Sequence, residues 1–413
     1  MYLSLSDRPA SAANRARGRT ARPRVARLVV TLGVVSLLTD ISSESVSAIL
    51  PLYLTSVVGL STVAYGFVDG LYQGVSALVR IAGGWVADKS GRPQQVALAG
   101  YGLSMLARVA LLFAGGVASI STVISADRIG KGLRTAPRDS MITAASDPAH
   151  LGRSFGVHRA LDTVGAAIGP LLAFLILWGI PDGYHTVLVV SLGFAVLGVV
   201  VLGLFVPRDA GGVRRHEPLH WREALTRPML RLLLVAGFLA LLTVGDGFVY
   251  LALLNSTDAA AQWFPVLYVG TNIVYLALAV PLGRLADRVG RTRVLVLGHL
   301  PLAGAYLAAC VATGLPGALA ALGLLGTFYA CTDGVLAAVA ARTVPDELRT
   351  SGIACAQTVV ALARMGASIG FGVLWFAIGP QQALVLVAGG LALAVGAGAV
   401  VLRIGPSRQQ DAT

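Results

Sequence analysis

The sequence is dominated by long apolar runs that recur from one end to the other. A helix needs about 20 apolar residues to cross roughly 30 Å of hydrocarbon, and twelve runs meet that requirement. They lie near 28–57, 63–87, 94–114, 118–143, 153–178, 185–206, 229–254, 261–286, 293–313, 317–341, 351–377 and 382–403. Only 13% of the residues are charged and 56% are hydrophobic, whereas roughly a quarter of a soluble domain is charged. The sequence therefore predicts an all-α integral membrane protein with twelve transmembrane helices, and excludes soluble, disordered and disulfide-scaffold classes.

The charges between the runs predict how the chain is oriented. The formal net charge is +12, almost entirely from arginine. The basic residues lie in alternate loops: Lys89 and Arg92, Arg153, Arg208 to Arg227, Arg288 to Arg293, Arg342 and Arg349. The opposite set of loops carries only Asp182 and Asp258. Because basic loops stay in the cytoplasm, both termini are predicted to be cytoplasmic. Charge spread in this way also argues against a nucleic-acid partner, which requires one basic face.

Two halves of the chain resemble each other at an offset near 200 residues. The segment Gly84 to Arg92, GWVADKSGR, is echoed by Gly283 to Arg291, GRLADRVGR. Gly165 to Gly169, GAAIG, is echoed by Gly366 to Gly370, GASIG. The repeat predicts an Arg-rich tail at 1–27, a six-helix half at 28–206, a cytoplasmic linker at 207–228, a second half at 229–404 and a short tail at 405–413.

This doubled signature resembles the major facilitator superfamily, a family of secondary transporters with two parallel six-helix repeats. The first copy departs from the family pattern at Pro93, where a basic residue is usual. The stretches TDISSESVSAILPLYL and DRIGKGLRTAPRD are similar to a bacterial branch of the superfamily. The resemblance implies alternating access in a bacterial plasma membrane, by a chain that functions as a monomer without a cofactor, with a small-molecule substrate and an ion gradient as the energy source.

The signature predicts a gate at the cytoplasmic side. A carboxylate at Asp88 can face the positive N-terminal end of a neighbouring helix, which we expect to be the eleventh. Gly84 allows close approach of that helix, and Gly91 allows a tight turn. The residues assigned to gating are Gly84, Asp88, Lys89, Gly91, Arg92, Gly165, Gly169, Pro170, Gly283, Asp287, Arg288, Gly290 and Arg291. The alternative is that Lys89 and Arg92 only anchor the loop to lipid headgroups.

Many charged residues lie inside the apolar runs, where each costs at least about 2.5–3.5 kcal/mol on insertion scales. They must pair or line a wet cavity, which would be the transport pathway. For proton coupling we assign Asp40, Glu44, Asp69, Arg128, His158 and Asp162. For substrate binding we assign Arg80, Lys131, Arg134, Tyr72, Gln73, Asp246, Tyr268, Asn272, Asp333 and Arg364. Static pairing between helices is the alternative for each.

Helical spacing groups these charges by face. Arg128, Lys131, Arg134 and Arg138 follow a three-and-four rhythm that predicts one stripe on the fourth helix. Charge is concentrated in the first half, so we expect the second half to supply shape and aromatic contacts. Those contacts are assigned to Tyr250, Tyr268, Tyr275 and Tyr329.

Two further patterns resemble motifs of the superfamily. Arg128 with Gly132 resembles a helix-4 pattern linked to proton handling, although Lys131 stands where Gln is common. Gly165, Gly169 and Pro170 resemble a helix-5 motif associated with antiporters, although Ala173 and Phe174 replace its second glycine pair.

The function predicted from these features is proton-coupled efflux of a small organic solute. Two alternatives stay open, namely uptake of an organic anion and transport of a divalent metal. The three cysteines lack CxxC spacing and are expected to be core residues without a resident metal. A receptor or scaffold would need longer loops, and an enzyme or ATP-driven pump would need motifs that are not found.

Overall fold

The computed structural model describes residues 26–147, 150–208, 221–257, 260–312, 314–345 and 348–402, without the side chains of 81–90 and 221–222. No strand occurs in these ranges. In the first half the helices are α1 Arg27–Leu52, α2 Thr62–Ser90, α3 Pro93–Leu111, α4 Val117–Ala144, α5 Leu151–Gly179 and α6 Tyr184–Phe205. In the second half they are α7a Arg227–Leu241, α7b Asp246–Thr257, α8 Phe264–Val289, α9a Arg291–Leu297, α9b His299–Val311, α10a Gly314–Thr332, α10b Val335–Arg342, α11 Arg349–Ile378 and α12 Pro380–Val401.

The twelve predicted spans are confirmed, with α7, α9 and α10 each built from two segments. Nine of the described segments are long and apolar enough to cross a membrane on hydropathy alone, and α2, α3 and α4 are outside that set. Side chains such as Leu204, Leu234, Leu393 and Val400 are at least 70% exposed on the outer surface. Such an apolar exterior is stable only in lipid, so the fold is that of a multi-span membrane protein.

Helix packing repeats between the two halves. In the first half α1 packs on α5 and α6, α4 on α2 and α3, and α3 on α6. In the second half α7 packs on α11 and α12, α10 on α8 and α9, and α9 on α12. Every pair in one set has its counterpart six helices later in the other. The sequence repeat is thus a repeat of helix packing, and helices of equal number in each half occupy equivalent places.

Small residues allow the closest of these contacts. A Cβ on Gly165 of α5 would lie 2.5 Å from the carbonyl oxygen of Leu37 on α1, and one on Gly169 would lie 2.9 Å from the backbone nitrogen of Ser45. The hydroxyl of Ser45 donates to the carbonyl oxygen of Gly169 at 2.9 Å. Close backbone approach replaces hydrophobic burial as the source of association in lipid, and here it fixes α5 against α1.

The halves meet through α2 with α11 and through α5 with α8. We call the end of the bundle where α1 begins and α2 ends the basic end, and the end where α1 ends and α2 begins the neutral end. Near the neutral end, a Cβ on Gly372 of α11 would lie 2.6 Å from the carbonyl oxygen of Thr62 on α2. The rings of Tyr65 and Phe248 meet edge to face there, at 4.7 Å between centroids. These contacts hold the two halves together at the neutral end.

Two of the helix interruptions, in α1 and α7, lie close to this junction. Helix α1 ends in a π-helical turn at Tyr53–Val57. Helix α7 is broken at 242–245, and the backbone nitrogen of Val244 donates to the hydroxyl of Tyr306 on α9b at 2.8 Å. Non-helical backbone at membrane depth is tolerated where protein groups satisfy it or where it lines a cavity. The break in α7 therefore marks a place where the bundle interior is polar.

Candidate functional site

A cavity of about 380 Å³ lies between the two halves, halfway along the helices. Its first-half wall consists of side chains from α1, α2 and α4, and its second-half wall of side chains from α7b, α8 and α10a with the residue that follows α10a. The lining residues are Glu44, Ser47, Leu50, Pro51, Tyr65, Asp69, Tyr72, Gln73, Arg128, Lys131, Asp246, Gly247, Tyr250, Tyr268, Thr271, Asn272, Tyr275, Tyr329 and Asp333. Most of the side chains assigned from sequence to proton coupling or substrate binding lie on this surface.

The cavity is closed towards the neutral end and open towards the basic end. The lining residues nearest the neutral end, Leu50, Pro51, Tyr65 and Tyr250, are buried. Asn272 and Asp333, which lie further towards the basic end, are exposed. The two exposed lining residues thus lie on the basic side of these four buried ones, as expected for a binding cavity open on that side.

The second-half wall is built from tyrosines that donate hydrogen bonds to carboxylates. The hydroxyl of Tyr275 donates to Asp333 Oδ2 at 2.9 Å. The hydroxyl of Tyr329 contacts both carboxylate oxygens of Asp246, at 2.7 and 2.8 Å. Next to them, the rings of Tyr250 and Tyr268 meet at 4.5 Å between centroids. The second half therefore contributes two carboxylates as well as the aromatic shape expected of it.

Arg128, on the first-half wall, belongs to a buried network. Its guanidinium forms a close ion pair with Asp127 and lies over the ring of Tyr72, 3.8 Å from the centroid. Asp127 Oδ1 also faces Arg108 Nη2 of α3 at 3.4 Å. Each of these charged side chains is at most 5% exposed. Arg128 is thus compensated by a carboxylate on its own helix.

Sequence reasoning did not single out Asp127. A neighbour in sequence points about 100° away around a helix, so the pairing of Asp127 with Arg128 has no spacing signal. The sequence did contain one indication of where Asp127 points. Asp127 and Arg134 are seven residues apart and so share a face of α4, and both side chains turn towards α3.

A second charged cluster lies where α1 meets α5. The carboxyl groups of Asp40 and Asp162 face each other across this contact. Arg159 Nη1 lies 3.3 Å from Asp162 Oδ2, and Arg138 Nη1 lies 3.9 Å from Asp162 Oδ1. Two carboxyl groups that face each other in a buried site repel when both are charged, which favours a proton on one of them. The pair is therefore a place where one proton can be held inside the bundle.

Asp69 connects the two halves. Ser368 Oγ of α11 donates to Asp69 Oδ2 at 2.6 Å. A Cβ on Gly245, in the break of α7, would lie 2.2 Å from the same carboxylate oxygen. Arg364 lies one turn before Ser368, and its Nε is buried with no hydrogen-bond partner within the described part of the chain. Arg364 and Ser368 border a smaller void that adjoins Asp246.

Six assigned residues do not line the cavity, namely Asp40, Asp162 and Arg364, described above, and Arg80, Arg134 and His158. Arg134 is 6% exposed and lies over the ring of Tyr101 on α3, 4.5 Å from the centroid. The single stripe predicted for α4 is wrong. Residues three apart on an α-helix differ by about 60° in direction around the axis, so Arg134, six residues after Arg128, points about 120° away from it. Arg80 Nη1 contacts Gln357 Oε1 on α11 at 3.4 Å. His158 is 3% exposed and its Nε2 has no hydrogen-bond partner in the described ranges.

The gating residues are only partly described. Gly84, Asp88 and Lys89 belong to α2, but their side chains lie outside the described part, and the contact expected for Asp88 stays a prediction.

Both signature turns require glycine, because φ is +63° at Gly91 and +105° at Gly290. Asp287 Oδ1 contacts Arg291 Nε and Nη2 at 2.7 Å. The space around Gly283 is open, so Gly283 makes no close helix contact here. Arg92 and Arg288 are exposed, and Pro170 is buried inside α5.

The cysteines, Cys310, Cys331 and Cys355, carry free thiols. Within the described ranges, no three side chains from His, Cys, Asp and Glu lie close enough together to hold a metal ion.

Two repeated six-helix halves around a polar cavity define the architecture of a membrane transport protein rather than of an enzyme. The profile of the Major Facilitator Superfamily matches residues 32–258 and 248–412. The chain therefore belongs to the Major Facilitator Superfamily. It is 28% identical over 385 residues to an uncharacterised MFS-type transporter of Methanocaldococcus jannaschii. The alignment covers 91% of this chain and 94% of that relative.

Solved transporters share the fold. A variant of the nucleoside transporter NupG superposes with a TM-score of 0.79 at 13% identity, covering 91% of this chain and all of that structure. A POT family transporter in complex with 5-aminolevulinic acid gives a TM-score of 0.77 at 12% identity, covering 92% of this chain and 96% of that structure. At these identities the likeness concerns the fold alone.

Proposed function

We propose that this transporter exports a small organic solute in exchange for protons by alternating access. Under this proposal it resides in the plasma membrane as a functional monomer with both termini in the cytoplasm, and the proton gradient replaces any cofactor. The basic end then faces the cytoplasm, as the positive-inside rule requires. The state described above, open at the basic end, is the one that loads solute from the cytoplasm.

The observation that carries the proton coupling is the Asp40–Asp162 carboxyl pair. The charges that face it come from three helices: Glu44 on α1, Lys131 and Arg138 on α4, and His158 and Arg159 on α5. Of these, Glu44 and Lys131 also line the cavity. Charge that enters the cavity therefore acts on the proton held by the pair, which is the coupling an antiporter needs.

Exchange also requires that the two ends of the bundle open in turn. The α2–α11 and α5–α8 contacts are equivalent under the internal repeat, so rocking of the halves about the cavity can close one end and open the other. In this scheme the protonated pair favours the state that is open at the basic end. Loss of the proton favours the opposite state.

Distances between spin labels test this without knowledge of the substrate. On a background with the three cysteines replaced, one pair of labels reports the basic end, Gly152→Cys with Val289→Cys. A second pair reports the neutral end, Val117→Cys with Leu315→Cys. Raising the pH from about 5.5 to about 8, a range in which a buried carboxyl can titrate, should shorten the basic-end distance and lengthen the neutral-end distance.

Asp40→Asn mimics the pair with one proton bound, because it leaves Asp162 as the single charged member, so its distances should stay those of the low-pH state at both pH values. Asp182→Asn, the same chemical change in the exposed α5–α6 loop, should behave like the parent. Distances that do not respond to pH in the parent, or that respond equally in Asp40→Asn, would contradict proton-coupled alternating access.

A further inference from the structure

Among the side chains that line the cavity, carboxylates outnumber the cationic groups that a ligand can reach. Its lining includes Glu44, Asp69, Asp246 and Asp333 against Arg128 and Lys131. Arg128 is withdrawn from a ligand because it is 3% exposed, paired with Asp127 and covered by Tyr72. Lys131 is the only half-buried cation among the described lining residues. An anionic solute would thus meet one ammonium group and several carboxylates.

Asp333 is the lining carboxylate that a ligand can reach most easily. It follows the last residue of α10a, where the helix is interrupted before Val335, and it is exposed to the open part of the cavity. Tyr275 uses Oδ2, while Oδ1 accepts no hydrogen bond in the described part of the chain. A carboxylate with a free oxygen at the mouth of a membrane-embedded cavity attracts a positive group and can accept a charge-assisted hydrogen bond from it.

Aromatic rings surround the approach to Asp333. Tyr268 and Tyr275 lie seven residues apart on α8 and so occupy the same face of that helix, and Tyr329 stands one turn before Asp333 on α10a. The hydroxyls of Tyr275 and Tyr329 donate to carboxylates, so these hydroxyls are occupied while the rings line the cavity. A cation near a tyrosine ring gains about 0.5–2 kcal/mol, with the larger values for desolvated sites.

We infer that the second-half wall binds an organic cation, a protonated amine or quaternary ammonium group, with Asp333 as the charge partner and Tyr268, Tyr275 and Tyr329 as the aromatic surround. This inference rests on the proposed export function and gives it a substrate class. In an exchange cycle, a cation that enters beside Glu44 and Lys131 competes electrostatically with the proton of the Asp40–Asp162 pair.

Equilibrium binding to the purified protein tests the inference independently of any transport cycle. Isothermal titration calorimetry measures the affinity for four cationic probes: choline, tetraethylammonium, benzyltrimethylammonium and tetraphenylphosphonium. Tetraphenylborate, close in size and shape to the last and opposite in charge, is the matched anion, and empty micelles give the blank. At least one cation should bind, and tetraphenylborate should not. Binding of none of the four cations, or of the anion in preference, would overturn the inference.

Variants then locate the bound cation. Asp333→Asn should weaken binding by roughly tenfold or more, whereas Asp182→Asn should leave the affinity unchanged. Tyr275→Phe keeps the ring and should keep the affinity within about threefold, but Tyr275→Leu should lower it several-fold. Unchanged affinity in Asp333→Asn would overturn the assignment. Thermal unfolding of each variant confirms that it is folded.

Lys131→Gln separates a simple cation from a zwitterion. It should raise the affinity for the cation, because it removes a repulsive charge from the opposite wall. A loss of affinity in Lys131→Gln would overturn the assignment of a simple organic cation, because it would mean that Lys131 pairs with a negative group on the ligand. The spin-label experiment reports proton-driven opening with no ligand present, so the export mechanism and the cation site can fail separately.

Discussion

Asp127 shows how much depends on one carboxylate in the first half. It lies between Arg108 and Arg128, and all three side chains are almost completely buried. Removing one member of a buried ion network leaves the others uncompensated in a low dielectric. The pairing thus explains how two arginines are kept in the interior of the first half.

We predict that Asp127→Asn destabilises the protein by about 3–5 kcal/mol, because two buried guanidinium groups lose their counter-charge. Thermal unfolding in detergent, followed by size-exclusion fluorescence, measures this. Asp139→Asn is the matched control on the same helix. Asp139 pairs with Arg138 but is 45% exposed, so we expect a loss of less than about 1 kcal/mol. Equal losses in the two variants would contradict the network.

Other assigned residues differ in what sequence revealed of them. Asp246, Asp333 and Tyr268 were found because charged or aromatic residues in an apolar run are unusual, and they do line the cavity. Their roles stay predictions. Arg134 was placed wrongly since its partner ring, Tyr101, belongs to another helix. A residue-level pattern gives the cost of burying a charge but not the identity of the group that compensates it.

At the scale of elements, the α1–α5 contact is the best-defined feature of the first half. It places Asp40 opposite Asp162 and depends on the lack of a side chain at Gly165 and Gly169. The resemblance to an antiporter motif pointed to these glycines. The structure gives a physical reason for them, which is close approach of two helices that carry the carboxyl pair.

We predict that Gly165→Ala destabilises the fold by about 1–3 kcal/mol, since the new Cβ would meet the backbone of α1 and the helices would have to separate. Gly156→Ala on the same helix is the control, because nothing lies within 4 Å of its Cβ position. It should be neutral or stabilising by up to about 1 kcal/mol, through helix propensity. Thermal unfolding compares the two, and an equally stable Gly165→Ala variant would refute the close-contact argument.

The break in α7 has a similar basis at this scale. Sequence placed a single apolar run over 229–254, whereas the structure interrupts it at 242–245. The interruption exists because Tyr306 of α9b satisfies the backbone at Val244 and because Asp69 packs against Gly245. Both partners lie on other helices, so the glycines at Gly245 and Gly247 could suggest a break but not the groups that satisfy it.

For the whole molecule, the question is what holds the neutral end shut. The α2–α11 crossing is the closest contact there, with Gly66 and Gly372 facing each other. Its counterpart under the repeat is α5 with α8, and near this end the ring of Trp178 on α5 lies 5.7 Å from that of Trp263, the residue just before α8. The balance between the two end states depends on these contacts.

We predict that Gly372→Ala shifts the population towards the state that is open at the neutral end. A Cβ there would lie 2.6 Å from the carbonyl oxygen of Thr62, which penalises only the closed contact, by about 1–3 kcal/mol. Such a bias changes the ratio of the two states by roughly 5- to 150-fold. The neutral-end spin-label pair measures this as a longer distance.

Gly370→Ala is the control on the same helix, since the space around Gly370 is open, and its distance distribution should match the parent. A Gly372→Ala variant with the parent distribution would mean that the crossing does not govern closure.

The sequence by itself determined the class of protein, the number of spans and the internal repeat, because lipid imposes length and apolarity on each helix separately. Intramembrane charges such as Asp40 and Asp333 were also visible locally, since each is costly wherever it lies. Only the tertiary structure decided which partner each intramembrane carboxyl group meets: Asp40 meets Asp162, Asp69 meets Ser368, and Asp127 meets both arginines. It also showed that the hydroxyls of Tyr275 and Tyr329 donate to Asp333 and Asp246, and that Arg80 and Arg134 lie away from the cavity. Pairing between helices depends on how they rotate and cross, and no spacing along one helix contains that information.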